Sequence, residues 1–187
     1  EFYSEFGRLL KEGAYQEFEH KDSIVELLRF KSTKEEGFVS LKDYVNRMDA
    51  DQKSIYYITG HNEVSLSDSP LLEMYDEKNI EVLILDDEID EIVITSIPKY
   101  DDKELKSVNR SGAADELSDK SNKKNIKELE PLIKKIKKVL GDKVKDVRIS
   151  KRLNDSPSCL VADENDPTSQ MQEIMKSMGQ PNLPDIK

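Results

Sequence analysis

Val82-Leu83-Ile84-Leu85 is apolar without interruption. A strand with one solvated face alternates apolar and polar residues, so a run lacking any polar position must be covered on both sides. A second β-rich run, Ile55-Tyr56-Tyr57-Ile58, ends at Thr59-Gly60. Between the two, Ser69-Pro70 reads as a helix cap followed by an N1 proline, with Leu71, Leu72 and Tyr75 behind it. A strand–helix–strand order of this kind joins parallel neighbours. The next segment, Ile89 to Ile97, is rich in β-branched residues, which favours strand. Yet Ile89, Ile92, Val93, Ser96 and Ile97 fall at i, i+3, i+4, i+7 and i+8, one face of a helix, and the doubly apolar strand needs that second cover. Leu105 to Val108 supplies a third short strand. The fold class expected is α/β, with residues 54–110 forming a small αβα layer around a three-stranded parallel sheet.

Residues 1–53 read as helices. Phe2, Phe6, Leu9 and Leu10 recur at helical spacing, Ser23-Ile-Val-Glu26 has the form of a capping box with Leu27 and Leu28 on the buried side, and Ser40 opens a helix bearing Leu41, Tyr44, Val45 and Met48. Residues 111–125, rich in Ser, Asn, Asp and Lys, read as a linker. A long helix follows through Ile126, Leu129, Ile133, Ile136 and Leu140, capped by Gly141, with Pro131 in its first turn or at a kink. Val147 and Ile149 then alternate as a strand, turned by Asn154-Asp-Ser-Pro157 into Cys159-Leu-Val161. Thr168 or Ser169 opens a last helix carrying Met171, Ile174, Met175 and Met178. Leu, Ile, Val and Phe make up about a quarter of the chain, above the roughly 20% below which a highly charged chain stays disordered.

Several chemistries are excluded or disfavoured. No two of the seven glycines lie closer than six positions, which removes the P-loop, the dinucleotide fingerprint and the serine nucleophile elbow. His20 and His61 read as solvated surface residues. Cys159 is the only cysteine, so no intrachain disulfide forms; its neighbours Leu160 and Val161 suit a small buried hydrophobe better than a Cys–His nucleophile. The acidic run Asp86, Asp87, Glu88, Asp90, Glu91 lacks the spacing and central glycine of a calcium loop. No run approaches the ~18 apolar residues of a membrane span, and nothing resembles a signal peptide, so the expected place is the cytoplasm. Net charge is −10, yet residues 121–152 hold 12 Lys or Arg against 4 Asp or Glu. Such a stretch can bind phosphate backbones, but no aromatic residue follows Tyr100 to stack on bases. Neither a nucleic acid nor a membrane is the expected partner.

Longer strings point to one family. Phe2-Tyr-Ser-Glu-Phe6, Leu28-Arg-Phe30, Ser40-Leu-Lys-Asp-Tyr44-Val-Asn-Arg-Met48 and Gln52-Lys-Ser-Ile-Tyr-Tyr-Ile-Thr-Gly60 resemble the heat-shock chaperones of ninety kilodaltons. Ile89-Asp-Glu91, Arg152-Leu-Asn-Asp-Ser-Pro157 and Met171-Gln-Glu-Ile-Met175-Lys176 do so too, in the same order and over nearly the whole chain, with short turns similar to the bacterial form. The resemblance implies that 1–53 is the helical part of a middle domain, 54–110 its small αβα subdomain, 111–125 a linker, and 126–187 the start of an α+β C-terminal domain. It also implies that the ATP-binding domain precedes Glu1 and the dimerising helices follow Lys187. ATP, magnesium and the homodimer then belong to the full-length chaperone, and this chain carries no catalytic residue, metal or cofactor of its own.

By position, the resemblance makes Glu91, Ile92, Thr95, Met171, Ile174, Met175 and Met178 client-binding residues. Unbranched, polarizable methionines that repack around different partners give this a physical reason, although the same spacing also suits ordinary core packing. The function expected is a non-catalytic module of an ATP-dependent chaperone that binds unfolded or partly folded clients and couples to the rest of the chaperone chain. Its alternatives are a rigid structural spacer between nucleotide and dimerisation domains, or a nucleic-acid-binding module.

Overall fold

The structure, a computed structural model, describes residues 2–114, 117, 126–164 and 166–177. Helices α1 (Phe2–Gln16) and α2 (Lys21–Val25) pack together and lead through the short strand β1 (Lys31–Ser32) to α3 (Leu41–Arg47). Ser40 and Asp43 cap α3 reciprocally: the Ser40 hydroxyl accepts from the Asp43 N–H at 3.0 Å, and Asp43 Oδ2 accepts from the Ser40 N–H at 3.2 Å. Strand β2 (Ser54–Thr59) is followed by α4 (Glu63–Ser67), a 3-10 turn over Pro70–Leu72, α5 (Glu73–Glu77) and β3 (Val82–Leu85). Helix α6 (Asp90–Thr95) then leads to the hairpin of β4 (Lys99–Tyr100) and β5 (Lys103–Ser107). The last helices are α7 (Ile126–Leu140) and α8 (Ser169–Ser177).

The strands lie in the order β1-β3-β2-β5-β4. Strand β2 runs parallel to both β3 and β5, while β1 and β4 add antiparallel edges. The sheet expected to be three-stranded and parallel is therefore five-stranded and mixed. Each edge strand has only two residues, too few to show an alternating pattern. The β4–β5 turn does carry a signal in retrospect: Asp101 and Asp102 both have positive φ, 47° and 59°, as a two-residue hairpin turn requires.

Every residue of β2 and β3 is buried. Tyr56, Ile58, Val82 and Ile84 point to one side, against Leu66, Leu72, Met74 and Tyr75 of α4, the 3-10 turn and α5. Ile55, Tyr57, Leu83 and Leu85 point to the other, against Leu28, Leu41, Tyr44, Val93, Ile94 and Ile97. The two-sided cover demanded by the apolar run is met by α4 and α5 on one face and by α6 with the N-terminal helices on the other. Tyr44 crosses this second core with its hydroxyl satisfied. It donates to the Glu81 carbonyl at 2.6 Å and accepts from Gln52 Nε2 and the Tyr56 N–H at 3.0 and 3.1 Å, and burial pushes its pKa up to about 12.

Three local expectations are corrected. Helix α1 does not bury Phe2, Phe6 and Leu9, which are exposed; Gly7, Lys11 and Ala14 face inward, with Leu10 partly covered. The Ser23 capping box does not form, because α2 begins two residues earlier at Lys21, and Leu27 is exposed. Val147–Ile149 and Cys159–Val161 form no strands, since among the described residues only a single bridge, Arg110 to Ala162, offers this region a backbone partner. The first described residues of the segment expected to be a linker are packed, which leaves that expectation as it stands. Ala113 and Ala114 are buried, and the Gly112 N–H donates to Glu164 Oε1 at 2.6 Å, so close that a Cβ on residue 112 would collide with that carboxylate. Residues 115, 116 and 118–125 lie outside the described residues.

Candidate functional site: the junction of α6 and α8

Helix α6 turns Val93 and Ile94 into the core. Its first turn nevertheless contains two fully buried acids, Asp90 and Glu91, at 1% and 3% exposure. Asp90 Oδ1 lies 2.6 Å from Lys11 Nζ of α1, and Asp90 Oδ2 accepts from the Asp87 N–H at 3.1 Å. Glu91 Oε1 accepts from the Thr168 hydroxyl at 2.8 Å. Of the other two α6 residues singled out, Ile92 is half-buried, and Thr95 is exposed with its hydroxyl donating to the Ile92 carbonyl at 2.7 Å.

Thr168 starts α8: its hydroxyl accepts from the Met171 N–H at 3.2 Å and its carbonyl from the Gln172 N–H at 3.0 Å. Helix α8 packs on α6, and the residues it buries are polar. Thr168, Gln170 and Gln172 are 3%, 4% and 6% exposed, whereas Met171, Ile174 and Met175 are only half-buried. That arrangement inverts the usual one, in which an amphipathic helix buries its apolar stripe. Met178 lies outside the described residues. The structure thus brings Ile92, Thr95, Met171, Ile174 and Met175 onto two packed helices. It withdraws Glu91 from the surface and gives that carboxylate an internal partner.

The residues that hold α8 and its lead-in were not visible as site residues in the sequence. The Arg152 guanidinium is buried and donates to the carbonyls of Val108, Arg110 and Ser111 at 2.8, 2.9 and 2.9 Å. Arg110 Nη1 donates to the carbonyls of Asp163, Glu164 and Asp166 at 3.1, 2.6 and 2.7 Å. Backbone pairing joins Ala162 to Asn109 and Ser111. On the far side His61 Nε2 lies 2.6 Å from Glu173 Oε2. A cleft of about 140 Å³ remains where β2 and β5 end, lined by Thr59, His61, Asn109, Ala162, Thr168 and Gln170. In open α/β sheets ligands favour this end of the strands; here Leu160, Ala162, Thr168, Gln170 and Glu173 from the chain itself line it.

Glu73 grips the turn before Cys159. Its carboxylate accepts from the N–H groups of Asn154, Asp155 and Ser156 at 2.6, 3.0 and 3.0 Å. Bonds from the Ser156 hydroxyl and then these amides hold its carboxyl below the usual glutamate range. A depressed folded-state pKa stabilises above the unfolded value and is lost as pH falls through the folded one. Protection of the amides at residues 154–156, taken relative to their intrinsic exchange rates, is therefore expected to hold at neutral pH and to fall in acid as Glu73 takes up its proton. Glu73→Gln should remove that pH step, as followed by exchange in acidified buffer, and an unchanged step would refute the assignment.

Three of the five acids in the acidic run meet lysines. Asp86 pairs with Lys31 at 2.8 Å, and Asp87 and Asp90 with Lys11 at 3.5 and 2.6 Å; among the described residues no three His, Cys, Asp or Glu could hold a metal ion. Part of the basic stretch is also engaged. Lys137 and Arg148 flank Asp146, whose pKa they lower to about 2, and Lys145 bridges Asp163 and Asp166. Burial pushes the Cys159 thiol up, against the thiolate a nucleophile needs. No helix among the described residues is long and apolar enough to cross a membrane.

A mixed sheet covered by helices on both faces, followed by a C-terminal helix docked at the strand ends, defines an α/β chain with an appended junction. The Hsp90 protein family profile matches residues 1–183. The chain is 52% identical over its whole length to the chaperone protein HtpG of Treponema denticola, of which it spans 30%. To the HtpG of Borreliella burgdorferi it is 47% identical over 96% of the chain, covering 29% of that relative. Among solved structures, the middle domain of a Plasmodium falciparum heat shock protein aligns with 59% of this chain and 47% of its own, at 34% identity and a TM-score of 0.56. The chain belongs to the Hsp90 family, and it spans about 30% of the length of the HtpG chaperones it matches.

Proposed function

We propose that this chain supplies part of the client-binding surface of an HtpG-type chaperone, at the α6–α8 junction. One observation carries the reading: α8 buries Thr168, Gln170 and Gln172 and leaves Met171, Ile174 and Met175 partly open on a helix that packs against Ile92 and Thr95. A helix folded for its own sake would bury the methionines and solvate the glutamines. Partly open, adaptable side chains suit partners of differing shape, and contacts formed this way are weak and re-packable. ATP and magnesium act, in this reading, through parts of the longer relatives that this chain does not represent, and it has no catalytic role.

Photo-crosslinking probes placed at Ile92 and Met175 are expected to label an unfolded protein several-fold more strongly than a probe at exposed Lys42 on α3. Equal labelling at the three positions would overturn the client-surface reading. It would favour instead a rigid spacer, whose support is the set of backbone clamps made by Arg152 and Arg110.

A further inference from the structure

Asp90 and Glu91 are sequence neighbours that face different helices. Asp90 is tied to Lys11, buried in α1 at 7% exposure, and the Lys11 ammonium also lies 5.8 Å above the Phe30 ring. Glu91 is tied to Thr168, the cap of α8, while Gln170 Nε2 reaches back to the Asp87 carbonyl at 3.5 Å, just ahead of the same turn. The far end of α6 is held from the N-terminal side as well, by Lys21 Nζ donating to the Ser96 carbonyl. Among the described residues no hydrogen bond joins Lys11 to Thr168; the short route from α1 to the α8 cap runs through Asp90 and Glu91, and a longer one runs through Asp87, which Lys11 meets at 3.5 Å and whose carbonyl Gln170 reaches.

We infer that the Asp90–Glu91 turn is a mechanical link: the Lys11–Asp90 pair sets the position of α6, and Glu91, through the Thr168 cap, passes that position to α8. Glu91 is thereby a positioning residue for the methionine face rather than a contact residue on it. This rests on the client-surface reading only for what α8 does, not for how it is held.

Two features make the link adjustable as well as continuous. Glu91 Oε2 and Gln170 Oε1 are both buried without a hydrogen-bond partner, and each such acceptor carries a desolvation penalty of about 1–3 kcal/mol. A joint that retains unpaired acceptors opens at lower cost than one in which every buried acceptor is paired. The next residues of α6, Val93 and Ile94, are close-packed in the core with Ile55, Tyr57, Leu83 and Leu85, which leaves little free volume there to take up a shift made at Lys11.

Hydrogen exchange of the α8 amides, measured on the chain without any client, tests this. Asp90→Asn keeps the shape of the side chain and weakens its hold on Lys11. It is expected to lower protection across Met171–Lys176 by about threefold or more while leaving α3 unchanged. In a Thr168→Val background the same change should add less than about 1.5-fold, because the link is already cut. The inference is overturned if α8 protection ignores Asp90→Asn, or if it falls by the same factor with and without Thr168. Should Asp90→Asn also loosen α3, Lys11→Arg, which keeps the charge and alters the reach, is read by the same two criteria. Because no client is present, failure here leaves the crosslinking result standing, and the reverse also holds.

Discussion

Replacing Arg152 with alanine is expected to destabilise the docking of residues 145–168 by about 3–5 kcal/mol, more than any surface change in that half of the chain. The guanidinium is 4% exposed and fills its fork with three backbone carbonyls that no other side chain serves among the contacts described. Hydrogen bonds to a charged donor contribute about 1.5–3 kcal/mol each, less when they share one group. Water can reach the part-buried carbonyls of Arg110 and Ser111 after truncation, but Val108 is fully buried and its carbonyl stays orphaned. Arg152→Lys should recover under half of the loss, since one ammonium cannot span carbonyls now met by two nitrogens. Urea unfolding combined with residue-level exchange would show residues 145–164 releasing before the sheet. A loss below about 1 kcal/mol for Arg152→Ala would mean that solvent replaces the clamp.

That clamp marks the limit of what composition and spacing reveal. The apolar run at Val82–Leu85 announces a strand covered on both faces, because no polar position is available for solvent, and the structure places helices on both sides. Ser40 as a helix opener, and the 3.6-residue period from Ile89, are equally local signals, carried by residues close together in the chain. Helix α1 and helix α8 mislead for one shared reason. Hydropathy assigns Phe2, Phe6 and Leu9 to the core and Gln170 and Gln172 to water, yet the true inward faces are chosen by partners far away in sequence: Asp90 for Lys11, and Glu91 with Asp87 for the start of α8. A buried polar contact leaves no period in the chain, so only the folded geometry exposes it. The failed strands at Val147 and Cys159 follow the same rule, since alternation proposes a strand but only an available edge makes one. Family resemblance proposes Ile92, Thr95 and the methionines as client contacts, but it could not tell that Glu91 faces inward.

Lys11→Met is expected to cost about 3–5 kcal/mol, far beyond the worth of an ordinary ion pair, because it leaves Asp90 charged and unpaired at 1% exposure. The methylene stem is nearly reproduced by methionine, so the loss comes from the charge, chiefly the pair with Asp90 and to a lesser degree the ammonium over the Phe30 ring. Adding Asp90→Leu should return most of the stability, to within about 1–2 kcal/mol of the parent, since an apolar pair of similar volume removes the desolvation penalty together with the attraction. The residual loss comes from the Asp87 N–H, which now donates to Asp90 Oδ2 and would have no acceptor. Urea denaturation of the parent, both single variants and the double variant gives the coupling directly. If the double variant is no better than Lys11→Met alone, the pair is not what α1 contributes to α6, and the inward face of α1 is set instead by the close packing of Gly7 and Ala14.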